Sequence, residues 1–107
     1  MRKIKKIAEI EAELCDKVWH NRCYLVLKEK IENGEHWLVE KWGSEFSTQD
    51  VTSKEIWEGA KKSAQRLEKK YGIENLGPYS DFDWGMINGK LSAIRWILGD
   101  DWDELYT

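Results

Sequence analysis

The chain has 107 residues, of which 35% are charged and 41% apolar, and its formal net charge is −3. That length predicts a single domain able to bury a core without staples, and that balance excludes a disordered or fibrous chain. Residues 1–70 carry 15 basic and 13 acidic side chains and residues 71–107 carry 2 and 7, an asymmetry too mild for a nucleic-acid-binding arm or an acidic tail.

Residues 2–21 read as an amphipathic helix. Ile4, Ile7, Ala8, Leu14, Cys15, Val18 and Trp19 recur at three- and four-residue spacing on one face, and Lys5, Lys6, Glu9, Glu13 and Lys17 lie mostly away from it. Glu11 falls inside the apolar stripe, and so does Arg22 if the helix continues. Residues 22–42 allow two readings. As helix, Cys23, Tyr24, Leu27 and Ile31 open a second apolar face and Asn33-Gly34 closes it. As sheet, the same Asn-Gly is a hairpin turn between Tyr24–Lys30 and His36–Trp42. Helix is preferred, because Leu25, Val26 and Leu27 break the alternation that a strand needs and the following residues are good helix formers.

Residues 43–53 read as a loop, rich in Ser, Thr and Gly. Thr52 with Glu55 resembles a capping box that starts a helix running to Tyr71, with Gly72 after it. Ile56, Trp57, Ala60, Ala64, Leu67 and Tyr71 form its stripe. Residues 72–79 hold two glycines and the only proline, and form a linker. Residues 80–99 follow as a helix apolar almost all round, begun by Ser80 with Asp83 and stopped near Gly99; such a helix is expected to be enclosed by its neighbours. Asp100 or Asp101 is placed to cap a last short turn. The expected fold is therefore all-α, one helical domain over 1–107, a compact bundle of three to four helices around the C-terminal one. The alternative is α+β with a hairpin near residues 22–42.

Chemistry-bearing residues are sparse. His20 has Asp16 one turn before it and Cys23 about one turn after it, an arrangement that orients a general base or a metal ligand. No paired Cys or His motif exists to complete a zinc site, so no metal and no cofactor is expected. Lys90 interrupts an apolar arc, where a lysine either acts as a nucleophile or extends its ammonium to water. Glu11, His20, Arg22 and Lys90 are thus the candidate catalytic or ligand-contacting groups, beside Trp19, Trp84 and Trp96 as pocket walls. Asp81, Asp83, Asp100, Asp101, Asp103 and Glu104 are placed as helix-capping and dipole-compensating groups. Lys61, Lys62, Arg66, Lys69 and Lys70 crowd one helix face, but Glu55, Glu58 and Glu68 interleave with them, so nucleic acid is not the expected partner.

Gly85, Gly89 and Ser92 form a shallow groove that another backbone can approach closely. Either Ala60 and Ala64 of the same chain fill it, or another protein does. Seven tryptophans, each large, apolar and carrying one N–H, add surface for an interface. The first functional expectation is a self-associating interaction module, a homodimer or the partner of another protein, with Trp19, Trp84, Gly85, Gly89, Ser92 and Trp96 at its interface. The second is a small enzyme or ligand-binding protein with a Trp-lined pocket. Cys15 and Cys23 lie too far apart on one helix for a disulfide, and the first residues lack the apolar run of a secretory signal. No segment suffices to span a bilayer. A cytoplasmic protein that does not enter the membrane is expected.

Overall fold

The computed structural model describes residues 2–43 and 50–99. In chain order these form helix α1 (Ile4–Trp19), a π-helical segment (His20–Leu25), α2 (Val26–Glu32), β1 (Trp37–Val39), β2 (Val51–Ser53), α3 (Lys54–Tyr71), a 3-10 turn (Ile73–Asn75) and α4 (Asp81–Ile97). The fold is mostly helical, as the periodicity predicts. The proposed last turn after Gly99 lies outside the described residues.

From Ile4 to Glu32 the backbone is helical throughout, and the π-helical segment divides it. A widened turn changes the angular phase of the residues after it. Before it, Leu14 and Val18 pack on Leu91 of α4, with Ile10, Cys15, Trp84, Ile87 and Ile94 around them. After it, Tyr24 packs on Trp57 and Ala64 of α3, with Leu27 and Ile31 at the edge. Three residues of the second apolar face read from the sequence, Tyr24, Leu27 and Ile31, therefore serve a different neighbour, while the fourth, Cys23, is exposed. The result is two small cores on two sides of one long helical element.

The hairpin alternative is not adopted. Asn33 and Gly34 end α2 instead: Gly34 sits at φ 74°, its N–H donates to Ile31 O at 3.2 Å and that of Glu35 donates to Lys30 O at 2.8 Å. This is the Schellman pattern, which uses the left-handed glycine to satisfy the last carbonyls of a helix. The segment after it does contain a strand, but β1 pairs in parallel with β2, Leu38 opposite Thr52, across a connection too long to be a turn. Part of the expected 43–53 loop is thus strand. This pairing also moves the helix cap by one residue. The Thr52 hydroxyl shares a 2.7 Å hydrogen bond with His36 Nε2, so Ser53 caps α3, its Oγ accepting from Ile56 N–H at 3.2 Å.

α4 begins as expected, with Ser80 Oγ accepting from Asp83 N–H at 3.1 Å, but it is not enclosed. Leu91 is its one fully buried side chain; Ile87 and Ile94 are half-buried and Leu98 is exposed. α4 packs on α1, while α3 packs on the π-helical segment and the two strands. The physical reason is the π-helical turn, which sends the rest of the rod toward α3 and, among the described residues, leaves α4 packed chiefly on α1. Ala64, fully buried, lies in the Tyr24–Trp57 core, and a methyl group placed on Gly85 or Gly89 would meet no atom within 4 Å. The glycine edge of α4 therefore does not receive the alanine stripe of α3. Ile56, assigned to that stripe, is exposed as well.

Candidate functional site

Two clefts run along the seam between the α1–α2 rod and α4, and Arg22 lines both. The first, about 630 Å³, lies between the π-helical segment and the start of α4, walled by Val26, Tyr79, Trp84 and Asn88. Its aromatic wall is doubled: Tyr79 and Trp84 stack with centroids 6.3 Å apart and planes 20° from parallel. The Tyr79 hydroxyl donates to Asn75 O at 2.7 Å. Desolvation, and after it the charge of Glu13, raises the Tyr79 pKa above the ordinary tyrosine value. Asn88 Nδ2 donates to Trp84 O at 2.8 Å, while its Oδ1 is buried with no partner. The linker reaches the site because Gly77 adopts φ 97° and has no side chain: a Cβ there would lie 2.6 Å from Asn21 Nδ2.

The second cleft, about 350 Å³, is lined by Cys15, Val18, Trp19, Cys23, Leu91 and Arg95 as well as Arg22. Arg95 Nη2 donates to Cys15 Sγ at 3.2 Å. The seam thus carries two guanidinium groups and one carboxylate, Asp81, between apolar walls.

The structure brings together Trp19, Arg22, Trp84 and Gly85 along this seam, and separates the other candidates. His20, 2% exposed, turns the other way: its Nε2 lies 3.1 Å from Glu68 Oε1 of α3 and its ring sits 5.2 Å from Tyr24. Its Nδ1 is buried without a partner. Asp16, expected beside His20, instead accepts from the Tyr71 hydroxyl at 3.0 Å. The Asp16–His20–Cys23 constellation is therefore not formed; two of its members tie the rod to α3, and Cys23 faces the seam. Burial first, and then this hydrogen bond to Asp16, raise the Tyr71 pKa above its ordinary value. Lys90 is exposed beside a shallow depression lined by Glu74, Asp83 and Ile87, away from Arg22. Glu11 is half-buried on α1 and lines neither seam cleft. Among the described residues no group of three His, Cys, Asp or Glu side chains is placed to hold a metal ion.

The outer face of α4 is the other prominent surface. At 100° per residue, Phe82, Met86, Gly89, Ala93, Trp96 and Ile97 fall within about 60° of one line, opposite Leu91. Phe82 is 74% exposed, Trp96 53%, Ile97 54% and Met86 45%. Large side chains stand at the two ends of this face and small ones across its middle. Of the interface candidates read from the sequence, Gly85, Gly89 and Trp96 are exposed and Ser92 is half-buried. The exposure of Phe82, Met86 and Ile97 was not readable, because the same wheel assigns them equally well to a buried core. Tyr79 carried no signal, since its place depends on the path of the linker. No helix among the described residues is long and apolar enough to cross a membrane.

No protein-family model, curated protein or solved structure matches the chain.

Proposed function

We propose that this chain is a helical interaction module that pairs with a second copy of itself through the outer face of α4. The observation that carries this reading is the apolar face of Phe82, Met86 and Ile97, each 45% exposed or more, around glycines with open space beside them. Contiguous exposed apolar surface of this kind marks association sites, and small residues between large ones let two helix backbones approach closely, as they do wherever helices pair without a bulky seam. The reading also accounts for a helix apolar nearly all round that has a neighbour on one side only. Free Cys15 and Cys23 on one helix support a reducing, cytoplasmic setting.

Light scattering tests the proposal. The expected mass is twice the 12.7 kDa monomer, and Phe82→Asp, which places a charge at the centre line of the face, should return the mass to that of the monomer without loss of helical circular dichroism. A wild-type mass equal to the monomer at all concentrations would end the reading.

A second reading, a small ligand-binding protein, draws on one observation: Arg22 and Trp84 line the same cleft. A guanidinium beside an aromatic wall suits a small planar anion. Calorimetric titration with an aromatic carboxylate such as benzoate, with Arg22→Ala as control, distinguishes it from the first.

A further inference from the structure

The larger cleft on the seam has two walls of opposite charge. The rod supplies Arg22, with Val26 one turn beyond it, and α4 supplies Asp81, Trp84, Gly85 and Asn88. At 100° and 1.5 Å per residue, these four α4 residues fall within about 50° of one line, with the carboxylate at one end, the indole and the glycine in the middle, and the amide about 10 Å further along. Neither Arg22 nor Asp81 has an ion-pair or hydrogen-bond partner among the described residues. We infer that this cleft takes a small aromatic zwitterion, its carboxylate toward Arg22, its ammonium toward Asp81 and its ring along Trp84. The inference rests on the reading of this cleft as a ligand site, and changes the ligand from a simple anion to one that also carries a cation.

The charges decide the class. A planar anion uses Arg22 alone and brings its own charge near Asp81, where like charges repel. A zwitterion engages both groups, each through a charge-assisted hydrogen bond. Asn88 adds to the acceptor side of the α4 wall: its Nδ2 donates to Trp84 O, and its Oδ1 is buried without a partner.

The middle of the wall suits a ring. Tyr79 and Trp84 stack on each other, and the Tyr79 hydroxyl is taken by Asn75 O, so the linker contributes its ring to the cleft rather than its polar tip. Beside Trp84 the wall is recessed at Gly85, where a methyl group would meet no atom within 4 Å. A flat group laid against the indole passes over that recess without hindrance. The volume of about 630 Å³ falls within the ~300–1,000 Å³ of small-molecule sites. The line of these four residues lies about a third of the way round α4 from the outer apolar face, so the ligand and a second copy of the chain use different sides of the helix.

Calorimetric titration at millimolar concentration tests this with three probes: L-phenylalanine, 3-phenylpropionate, which lacks the ammonium, and 2-phenylethylamine, which lacks the carboxylate. Phenylalanine should bind about tenfold more tightly than either, since a hydrogen bond to a charged group is worth roughly that factor. Arg22→Ala should abolish its advantage over the amine. Asp81→Asn should abolish its advantage over 3-phenylpropionate without weakening 3-phenylpropionate itself. Gly85→Leu, which fills the recess, should weaken all three. Arg22, Asp81 and Gly85 are exposed, so these variants are compatible with the fold, which circular dichroism of each verifies. If 3-phenylpropionate binds as tightly as phenylalanine and depends on Arg22, the zwitterion is overturned and the anion site stands. If 2-phenylethylamine binds as tightly as phenylalanine, the role of Arg22 is overturned. Phenylalanine binding that neither Arg22→Ala nor Asp81→Asn changes lies elsewhere on the chain and overturns the assignment. No binding of the three probes or of benzoate overturns the ligand-site reading itself.

Discussion

Glycine inside a helix normally costs stability, and α3 and α4 contain three glycines for which the fold gives no return. A methyl group on Gly59, Gly85 or Gly89 meets no atom within 4 Å, and none of the three has a positive φ. Replacing each by alanine should therefore stabilise the isolated chain by the difference in helix propensity, about 1 kcal/mol apiece. In a domain of this size about 1 kcal/mol raises the melting temperature by roughly 4–8 °C. Gly85→Ala with Gly89→Ala should add up to about 2 kcal/mol, the sum of two helix-propensity gains. Association should respond in the opposite sense. At a crossing of two α4 helices Gly89→Ala adds two methyl groups where two backbones meet, and overpacking of that kind costs about 1–3 kcal/mol, which is about fivefold to a hundredfold in dissociation constant. Gly59→Ala on α3 is the control, raising stability and leaving association unchanged. The assay pairs thermal melts at a dilution where the monomer prevails with sedimentation equilibrium across a concentration series. Lower melting temperatures for Gly85→Ala and Gly89→Ala would mean that these glycines serve the monomer. Unchanged association would remove the crossing from α4.

Three further outcomes follow from the two cores and the caps. Leu91→Ala removes the fully buried side chain that α4 contributes to the α1 core and should cost about 2–5 kcal/mol in urea unfolding, with hydrogen exchange accelerating first in α4. Ser53→Ala should cost about 1 kcal/mol by removing the cap of α3; in Thr52→Ala the first amides of α3 should remain protected, because that hydroxyl serves His36 instead. Tyr71 carries a raised pKa, caused first by burial and then by its hydrogen bond to Asp16. The folded state favours its neutral phenol, so this contribution is complete below the ordinary tyrosine value of 10.0 and is lost as pH rises through the higher folded value. Tyr71→Phe should flatten that alkaline loss of stability, and an ultraviolet titration should show Tyr71 and Tyr79 ionising above the ordinary tyrosine value of 10.0.

Helix starts and stops were legible because they depend on a few neighbouring residues. Ser80 caps its helix whatever surrounds it, and Gly72 ends α3 at φ 86°. The meaning of Asn33-Gly34 was not legible in the same way: the pair fits a hairpin turn and a Schellman stop equally well, and what decides between them is that Trp37–Val39 pairs with Val51–Ser53 rather than with the preceding residues. That pairing also explains the one-residue error in the α3 cap. The π-helical segment had no local signature, yet it controls which neighbour each half of the rod meets. It aims His20 at Glu68 and Tyr24 at Trp57, and it leaves Arg22 on the seam. The expectation that His20 would join Asp16 and Cys23 assumed an unbroken α-helix with no competing carboxylate. Glu68 and Tyr71 on α3 supply the competition, each taking one of the two partners.

The same turn makes α4 the weakly anchored element of the fold. α3 buries Trp57, Ala64 and Leu67 between the rod and the strands, whereas α4 buries Leu91 alone. Few buried contacts and one supporting neighbour place a helix at the low end of local stability. Yet the α4 sequence is more apolar than that of any helix it might be compared with here, so its hydrophobic content exceeds what one neighbour can cover. Within a single copy Phe82 and Met86 are exposed, and the glycines lower helix stability. Across two copies both features acquire a use. Under the proposed pairing the exposed apolar side chains would be covered and the glycines would allow the backbones to approach. Residues that weaken a helix in isolation and strengthen it when paired are what the proposed self-association through α4 requires.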